Sequence, residues 1–580
     1  MPSGDLHGRQ RLPRIPEPAL NALRTDGLLM YSAEPLHHFV DHYLTFLHEA
    51  HPSEATLDGV HTHDDLLEDL DRQAIETRIR ALAGFSRRLD QIAPNSLTPI
   101  EKVEHPVVAA SIRARLFELE EIRSWERNPL YYGNVLASTL IGQTIFAYAP
   151  PTERARRVLS KLRQMPRFLT SARDNVKDAP GIFVKVGLET LRGVLKFVES
   201  DLPRAFTEVD DLHLLSDLAD ASTEAIDALK GYIGYLEQDM APRARASFRL
   251  GRERLEQKLK VEEGIGLSAD RLLAIAQREL AATQEEFRRV ASRLDSGDPI
   301  EAWRKAKERH PAVGHLVGEA QTQLADLVSF VERHDIVSIP GSGQVIVAQT
   351  PDFYRWSSAS MWTPGPFETR PTPACYYVTD VDPAWSPERQ REYLRDFNYP
   401  TLWSISIHEV CPGHFLHYQH LRRIDSKLRK SILFSPASFV EGWAHYCEQM
   451  MVEAGFGRED QTIRLGQLAE ALIRLVRVIV AIRLHAEDMS VEQGMRLFRD
   501  EAFMEEPNAR REAERGTFDP TYLVYAIGKL MLMKLRADCR VQQGNGFSLR
   551  AFHDTLLGNG AIPIWAHRQL MLGHGGDALD

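Results

Sequence analysis

Cysteine is scarce in this chain: four residues in 580, Cys375, Cys411, Cys447 and Cys539, with no pair in C-x-x-C spacing. That excludes a disulfide framework and fits a reducing compartment. Long apolar runs are missing too. No stretch of about 18 apolar residues occurs, so no membrane-spanning helix is expected. Met1 to Pro18 is polar, interrupted by proline, and has no apolar signal core. The expectation is a cytoplasmic protein with no membrane partner. Positive charge is in deficit: 70 Lys and Arg against 81 Asp and Glu give a net charge of −11. There is no basic footprint for nucleic acid, and the expected partner is a peptide or small amide substrate rather than a polyanion. No repeat of fixed period and no low-complexity tract is present, and the sequence does not indicate an oligomeric state.

What is present is mostly helical periodicity. From Pro35 to His334, apolar residues recur at three- and four-residue steps, as in Ile75, Ile79, Leu82, Phe85 and Leu89, which specifies packed amphipathic helices. Ser268-Ala269-Asp270 reads as the start of another, running to Leu294. Between Ile336 and Val381 the character changes. Residues 344–348 and 374–378 are short β-branched and aromatic runs flanking a Pro- and aromatic-rich loop over 361–373, which predicts a small inserted sheet. Helices return over 386–422, 436–454, 461–486, 490–504 and 520–540. The fold class is therefore mainly α with a small β-sheet. The organisation expected is an N-terminal extension over 1–30, a helical scaffold over 31–335, and a catalytic half over 336–580 that contains the sheet at 336–381.

The most chemical run is His408-Glu409-Val410-Cys411-Pro412-Gly413-His414. Neutral imidazoles and carboxylates are zinc ligands, and a Glu beside a ligating His can serve as the base that deprotonates water. In a straight helix six residues turn the side chain by roughly 600°, leaving the two histidines about 120° apart. Pro412 also cannot sit inside a regular helix, so a kink or bulge at Pro412-Gly413 is expected to return His414 to the face of His408. A catalytic zinc usually has three protein ligands and one open position. Glu441, His445 and Glu448 share one helical face at i, i+4 and i+7, and any of them could be the third. Glu441 is the first choice, because Gly442 beside it allows close helix approach. Cys411 is a weaker candidate as a fourth ligand, since a thiolate there would close the open position.

The run H-E-x-x-P-G-H, the later Glu441-Gly442-Trp443-Ala444, and Tyr525-Ala526-Ile527-Gly528 together resemble the bacterial domain-of-unknown-function family 885. Upstream, Asn128 to Tyr132, Arg163 to Pro166 and Gly264 to Ser268 are similar to family segments, so the resemblance covers most of the chain. The family is regarded as zinc peptidases related to the gluzincins, which implies a large helical zinc-peptidase-like architecture. Carried over by position, the resemblance implies one Zn2+ held by His408, His414 and Glu441. Glu409 would be the general base, and Tyr525 and His485 would be donors to an oxyanion. The chain departs from the family pattern at Cys411, where an aromatic is usual, and at Phe415-Leu416-His417.

The expected function is a zinc-dependent peptidase acting on short peptides, with Glu409 moving the proton between water and the leaving amine. The short strands could offer an edge on which an extended peptide adds; a purely structural hairpin is the alternative. A zinc-dependent hydrolase of non-peptide amides, or a biosynthetic enzyme, would use the same residues on another bond. A non-catalytic metal-binding scaffold would have no use for Glu409.

Overall fold

The computed structural model describes residues 34–294, 297–341, 343–351, 359–576 and 579. The extension expected over 1–30 lies outside them. The chain is mainly helical with one three-stranded sheet, and its helices begin where the sequence supplies caps. The Asp71 carboxylate accepts from Ala74 N–H and opens helix Arg72–Asp90, which buries Ile75, Leu82 and Leu89. The Ser268 hydroxyl accepts from Arg271 N–H and opens Ala269–Leu294, whose buried face carries Leu272, Ile275, Ala276 and Phe287.

The sheet differs from expectation in two ways. Strands β1 (Val345–Gln349) and β3 (Ala374–Val378) pair in parallel, so they do not form a hairpin. A further strand, β2 (Ala359–Trp362), begins ahead of the expected loop and takes in its first two residues, pairing antiparallel with β3. The order β1-β3-β2 makes β3 the centre. All five β3 residues are buried, which explains the unbroken run Ala-Cys-Tyr-Tyr-Val. With both its edges paired, β3 has none to offer a substrate.

The largest apolar cluster extends from Leu255 to Ile564 and includes Phe330, Val331, Ile336 and Val337, so one core takes in residues on both sides of position 335. A second cluster packs the helices between Leu67 and Ala244. The expected helix over 386–422 is three helices, Pro387–Asp396, Tyr399–Glu409 and His414–Leu421. An additional helix, Glu506–Phe518, was not expected from the sequence.

The loop after β2 is strapped to the N-terminal helices. Phe367 N–H donates to Asp58 O at 2.9 Å. Gly59, at φ +89°, lies so close that a Cβ there would sit 2.3 Å from Glu368 N. His61 stacks flat on Tyr148, with ring centroids 3.8 Å apart, and bridges Asp64 at 3.0 Å and Glu368 at 2.8 Å. Burial alone would lower His61, but the two carboxylates outweigh it and raise the ring to about 8. A group raised on folding stabilises fully below its unfolded value and loses that contribution as pH rises through its folded one. His61→Gln is therefore expected to cost roughly 2 kcal/mol in urea melts at pH 6 and much less at pH 9. An equal cost at both pH values would show that the bridge is not ionic.

Candidate metal centre

Helix Tyr399–Glu409 starts at Asn398, whose side chain accepts from Thr401 N–H at 3.0 Å, and stops where the sequence places proline. The next helix, His414–Leu421, begins after four non-helical residues, so the chain breaks completely instead of bulging. Gly413 N–H reaches back to Ile407 O at 3.0 Å. A Cβ on Gly413 would lie 1.8 Å from His408 O, so only glycine fits this turn. The Pro412 carbonyl freed by the break accepts from Trp443 Nε1–H at 3.0 Å and from the Cys447 thiol at 3.7 Å. The break thereby brings the two imidazoles together, nearly perpendicular, with centroids 4.8 Å apart.

Glu441 arrives from helix Ala437–Glu453. That helix crosses Val524–Gln543 glycine to glycine: a Cβ on Gly442 would sit 2.7 Å from the Gly528 carbonyl carbon, and one on Gly528 would sit 1.9 Å from Ser438 O. The crossing accounts for the glycines of both E-G-W-A and Y-A-I-G. Glu441 Oε2 stands 3.3 Å from His408 Nε2 and 3.4 Å from His414 Nε2. Among the described residues these three are the group of His, Cys, Asp and Glu whose ligand atoms converge, all within 4.8 Å. A tetrahedron with zinc–ligand bonds of about 2.0–2.1 Å has edges of about 3.3–3.4 Å, which two of the three separations match. Glu441 Oε2 is also buried without a hydrogen-bond partner, which is costly unless a cation completes it. The donor set fits one zinc ion.

The first ligand is held from behind. His408 Nδ1–H donates to Glu448 Oε1 at 2.8 Å, which fixes the tautomer and points the Nε2 lone pair at the group. Glu448 is fully buried, takes a second bond from the Ser404 hydroxyl at 3.1 Å, and lies 3.5 Å from Arg474 Nη2. Burial would raise this carboxyl, but the Arg474 charge leads the interactions that hold it well below the ordinary range. Burial would likewise lower His408, but the neighbouring Glu441 and Glu448 carboxylates raise it to about 9, so without metal the ring carries a proton that ligation must displace. His445 Nδ1 lies 3.2 Å from Glu448 Oε1 but out of line, so neither of its ring nitrogens has a hydrogen bond. Burial lowers His445 to about 3, leaving it neutral. Cys411 stays a thiol, pushed up to about 12 by burial.

Glu409 and Tyr525 line the same cleft as the three ligands, a space of about 1120 Å³. Burial raises Glu409, against the pull of the His408 and His414 charges. The Tyr525 ring is stacked 6.3 Å from His408, and its hydroxyl accepts from Arg515 Nη2 at 3.5 Å. Burial, followed by the Glu441 charge, pushes Tyr525 up to about 12, so it keeps its proton. His485 is differently placed. Its Nε2 donates to Gly516 O at 2.8 Å and its Nδ1 accepts from Leu250 N–H at 3.3 Å, so backbone groups occupy both nitrogens and none is left for an oxyanion. Of the sheet, it is β2 that lines this cleft. Arg474, Arg477, Glu512 and Arg515 line it as well, and sequence reasoning passed over all four. A signal was available: Arg474 and Arg477 interrupt the otherwise apolar stretch 471–482 of helix Gln461–Ala486, where arginine needs a partner.

A helical protein with a two-His, one-Glu centre in a deep cleft is thus defined. The chain belongs to the family of bacterial proteins of unknown function designated DUF885, whose model matches residues 52–571. Two solved structures share the fold. One, described as a "putative lipoprotein of unknown function" from Shewanella oneidensis, is 25% identical, with a TM-score of 0.76 over 93% of this chain and 100% of that one. The other, described as a "putative lipoprotein" from Colwellia psychrerythraea, is 17% identical, with a TM-score of 0.78 over 94% and 99%. No curated protein matches the chain. The structural relatives correct the expectation of a cytoplasmic protein, since both are described as lipoproteins. Among the described residues no helix is long and apolar enough to cross a membrane. A covalent lipid anchor requires no such helix, so missing apolar runs do not decide where a protein resides.

Two outcomes follow. Gly528→Ala should push the crossing helices apart and destabilise the fold by about 1–3 kcal/mol in urea melts; an unchanged midpoint would show that they do not approach this closely. Glu448→Gln should weaken zinc binding about 10- to 100-fold in chelator competition, with the helical circular dichroism retained. Unchanged affinity would remove Glu448 from any ligand-positioning role.

Proposed function

We propose that this protein is a zinc-dependent hydrolase, a peptidase cleaving amide bonds of short peptides. The observation that carries this reading is the convergence of His408, His414 and Glu441 from three helices in one cleft, with Glu409 beside them. His408, His414 and Glu441 would hold the ion, which when bound supplies Lewis acidity that polarises a carbonyl and acidifies water. A structural zinc site is closed by four protein ligands, whereas this group has three.

Glu409 takes a proton from the attacking water as its oxygen adds to the amide carbon. It then delivers that proton to the departing nitrogen as the C–N bond breaks, leaving a carboxylic acid and an amine. Its raised affinity for protons suits both halves of that exchange near neutral pH. Tyr525, still protonated, donates its hydroxyl to the negative charge developing on the carbonyl oxygen. Met361, Trp362, Phe183 and Phe503 supply apolar wall to the same cleft. The Shewanella relative, described as a lipoprotein, supports placing this activity at a membrane.

Zinc-loaded protein should hydrolyse members of a short-peptide library. Glu409→Gln should retain zinc at full occupancy and lose about 100- to 10,000-fold in kcat. Full activity in that variant would eliminate Glu409 as the base, and a zinc-loaded chain cleaving no peptide would eliminate the peptidase reading.

A further inference from the structure

The wall carrying Tyr525 contains two arginines whose arrangement goes beyond holding the fold. Arg477 and Arg515 both lie over the Tyr525 ring, their guanidinium carbons 5.1 Å and 5.7 Å from its centroid. Both also lie 5.8 Å from the centroid of Tyr522. Each is anchored along one edge only. Arg477 Nε and Nη2 donate to the two oxygens of Glu512 at 2.7 Å and 2.8 Å. Arg515 Nε and Nη2 both donate to Asp519 Oδ2, at 3.0 Å and 2.9 Å. A guanidinium has five N–H donors in a planar fork, so each arginine retains its Nη1 pair. Among the described residues neither Nη1 donates to a protein acceptor, and neither is a buried unsatisfied atom, so both remain open to solvent in the cleft.

The anchoring carboxylates prepare the arginines for a ligand. Burial would raise Glu512, but Arg477 first, then Arg515 and Arg474, hold it ionised at about 2. The back edge of Arg477 is therefore occupied across the working pH range and its front edge is oriented toward the cleft. A fork already fixed in place loses little side-chain freedom on binding, and its planar donors match a carboxylate. The position is informative too. The Tyr525 ring centroid lies 6.3 Å from that of His408, and the two guanidiniums lie on that same tyrosine. These distances put both guanidinium carbons within about 12 Å of the His408 ring, a reach that at about 3.4 Å per extended residue is covered by no more than about four residues of peptide.

We infer that Arg477 and Arg515 form a clamp for the free C-terminal carboxylate of the substrate, so that the enzyme removes short C-terminal fragments. The inference rests on the hydrolase reading above and adds its substrate class: peptides with an unblocked carboxyl end. Glu512 and Asp519 are positioning residues in this clamp, while the two arginines touch substrate.

The test uses the full chain loaded with zinc and a tripeptide of two alanines and a C-terminal phenylalanine, prepared as the free acid and as the amide. Binding is measured by calorimetry on Glu409→Gln, and cleavage on the unaltered protein. The acid should bind about 10- to 100-fold more tightly than the amide, the range expected for a charged hydrogen-bonded contact. Arg515→Gln and Arg477→Gln should each remove most of that preference by raising KM for the acid more than KM for the amide. Arg477→Lys, which keeps the charge beside Glu512, should retain the fold and lose part of the preference. Equal affinity for acid and amide, or no binding of either, overturns the clamp. Cleavage of both forms at equal rates overturns it while leaving the hydrolase intact. Preferential binding of the acid without cleavage of either form supports the clamp and removes the hydrolase reading.

Discussion

Two helices approach until backbone touches backbone at Gly442 and Gly528, and the centre depends on that contact. With any side chain at either position the helix carrying Glu441 would ride higher, and its carboxylate would leave the two imidazoles. The same helix performs the neighbouring tasks. Trp443 ties down the carbonyl freed at Pro412, and Glu448 grips His408 from behind. About two turns of that helix therefore carry a candidate ligand, the brace for the helix break and the brace for another candidate ligand. A regular helix is a rigid ruler with fixed offsets between side chains. Errors in one of these contacts are transmitted to the others.

Burying so much charge is costly unless each charge is answered. Glu448 is surrounded by Ser404, His408 and Arg474, and Arg474 is in turn paired with Glu470. Arg477 is matched by Glu512 and Arg515 by Asp519. Glu441 Oε2 has two imidazole nitrogens near it and no hydrogen bond, and Arg474 Nε and both His445 nitrogens are buried without one as well. Of these open atoms only the Glu441 oxygen is a carboxylate acceptor facing two imidazole nitrogens, the arrangement a cation would complete. This is a sounder guide than ligand spacing in the chain, because it depends on the whole surrounding structure.

The residues that converge at the centre were legible because they are local or are marked by glycine and proline. H-E-x-x-P-G-H places two candidate ligands and a candidate base within seven positions, and the internal proline announced an interruption of the helix. Whether that interruption would be a bulge or a break was not legible, since it depends on Trp443, thirty-one positions beyond Pro412, capturing a carbonyl. His485 failed for a related reason. Its sequence neighbourhood resembles that of a catalytic histidine, but only the fold brings Leu250 N–H and Gly516 O onto its ring. Strand β2 was partly hidden because Met361 and Trp362 read as part of a proline-rich loop, and the buried β3 that organises it is supplied from twelve residues further on. Helix Glu506–Phe518 is strongly polar, with Ala509 and Ala513 among its few buried residues, so its periodicity carried little hydrophobic signal.

The N-terminal half is more than a support for the half that carries His408, His414 and Glu441. Tyr131, Phe183 and Thr190 line the cleft opposite His408 and Tyr525, so the binding space is a seam between distant parts of the chain. Strand β2 lines that seam, and the loop following it is fastened to the N-terminal helices by Gly59, Asp58 and His61. The position of one wall therefore depends on contacts made near residue 60. At about 1120 Å³ the cleft exceeds the roughly 300–1,000 Å³ of ordinary small-molecule pockets. On the proposed reading, a space of that volume, with Glu409 at one point and two half-used arginines on the tyrosine beside it, would suit an extended chain better than a compact metabolite. Selectivity in such a seam would arise from walls supplied by both halves, so relatives can keep the ligand motif and still differ in substrate.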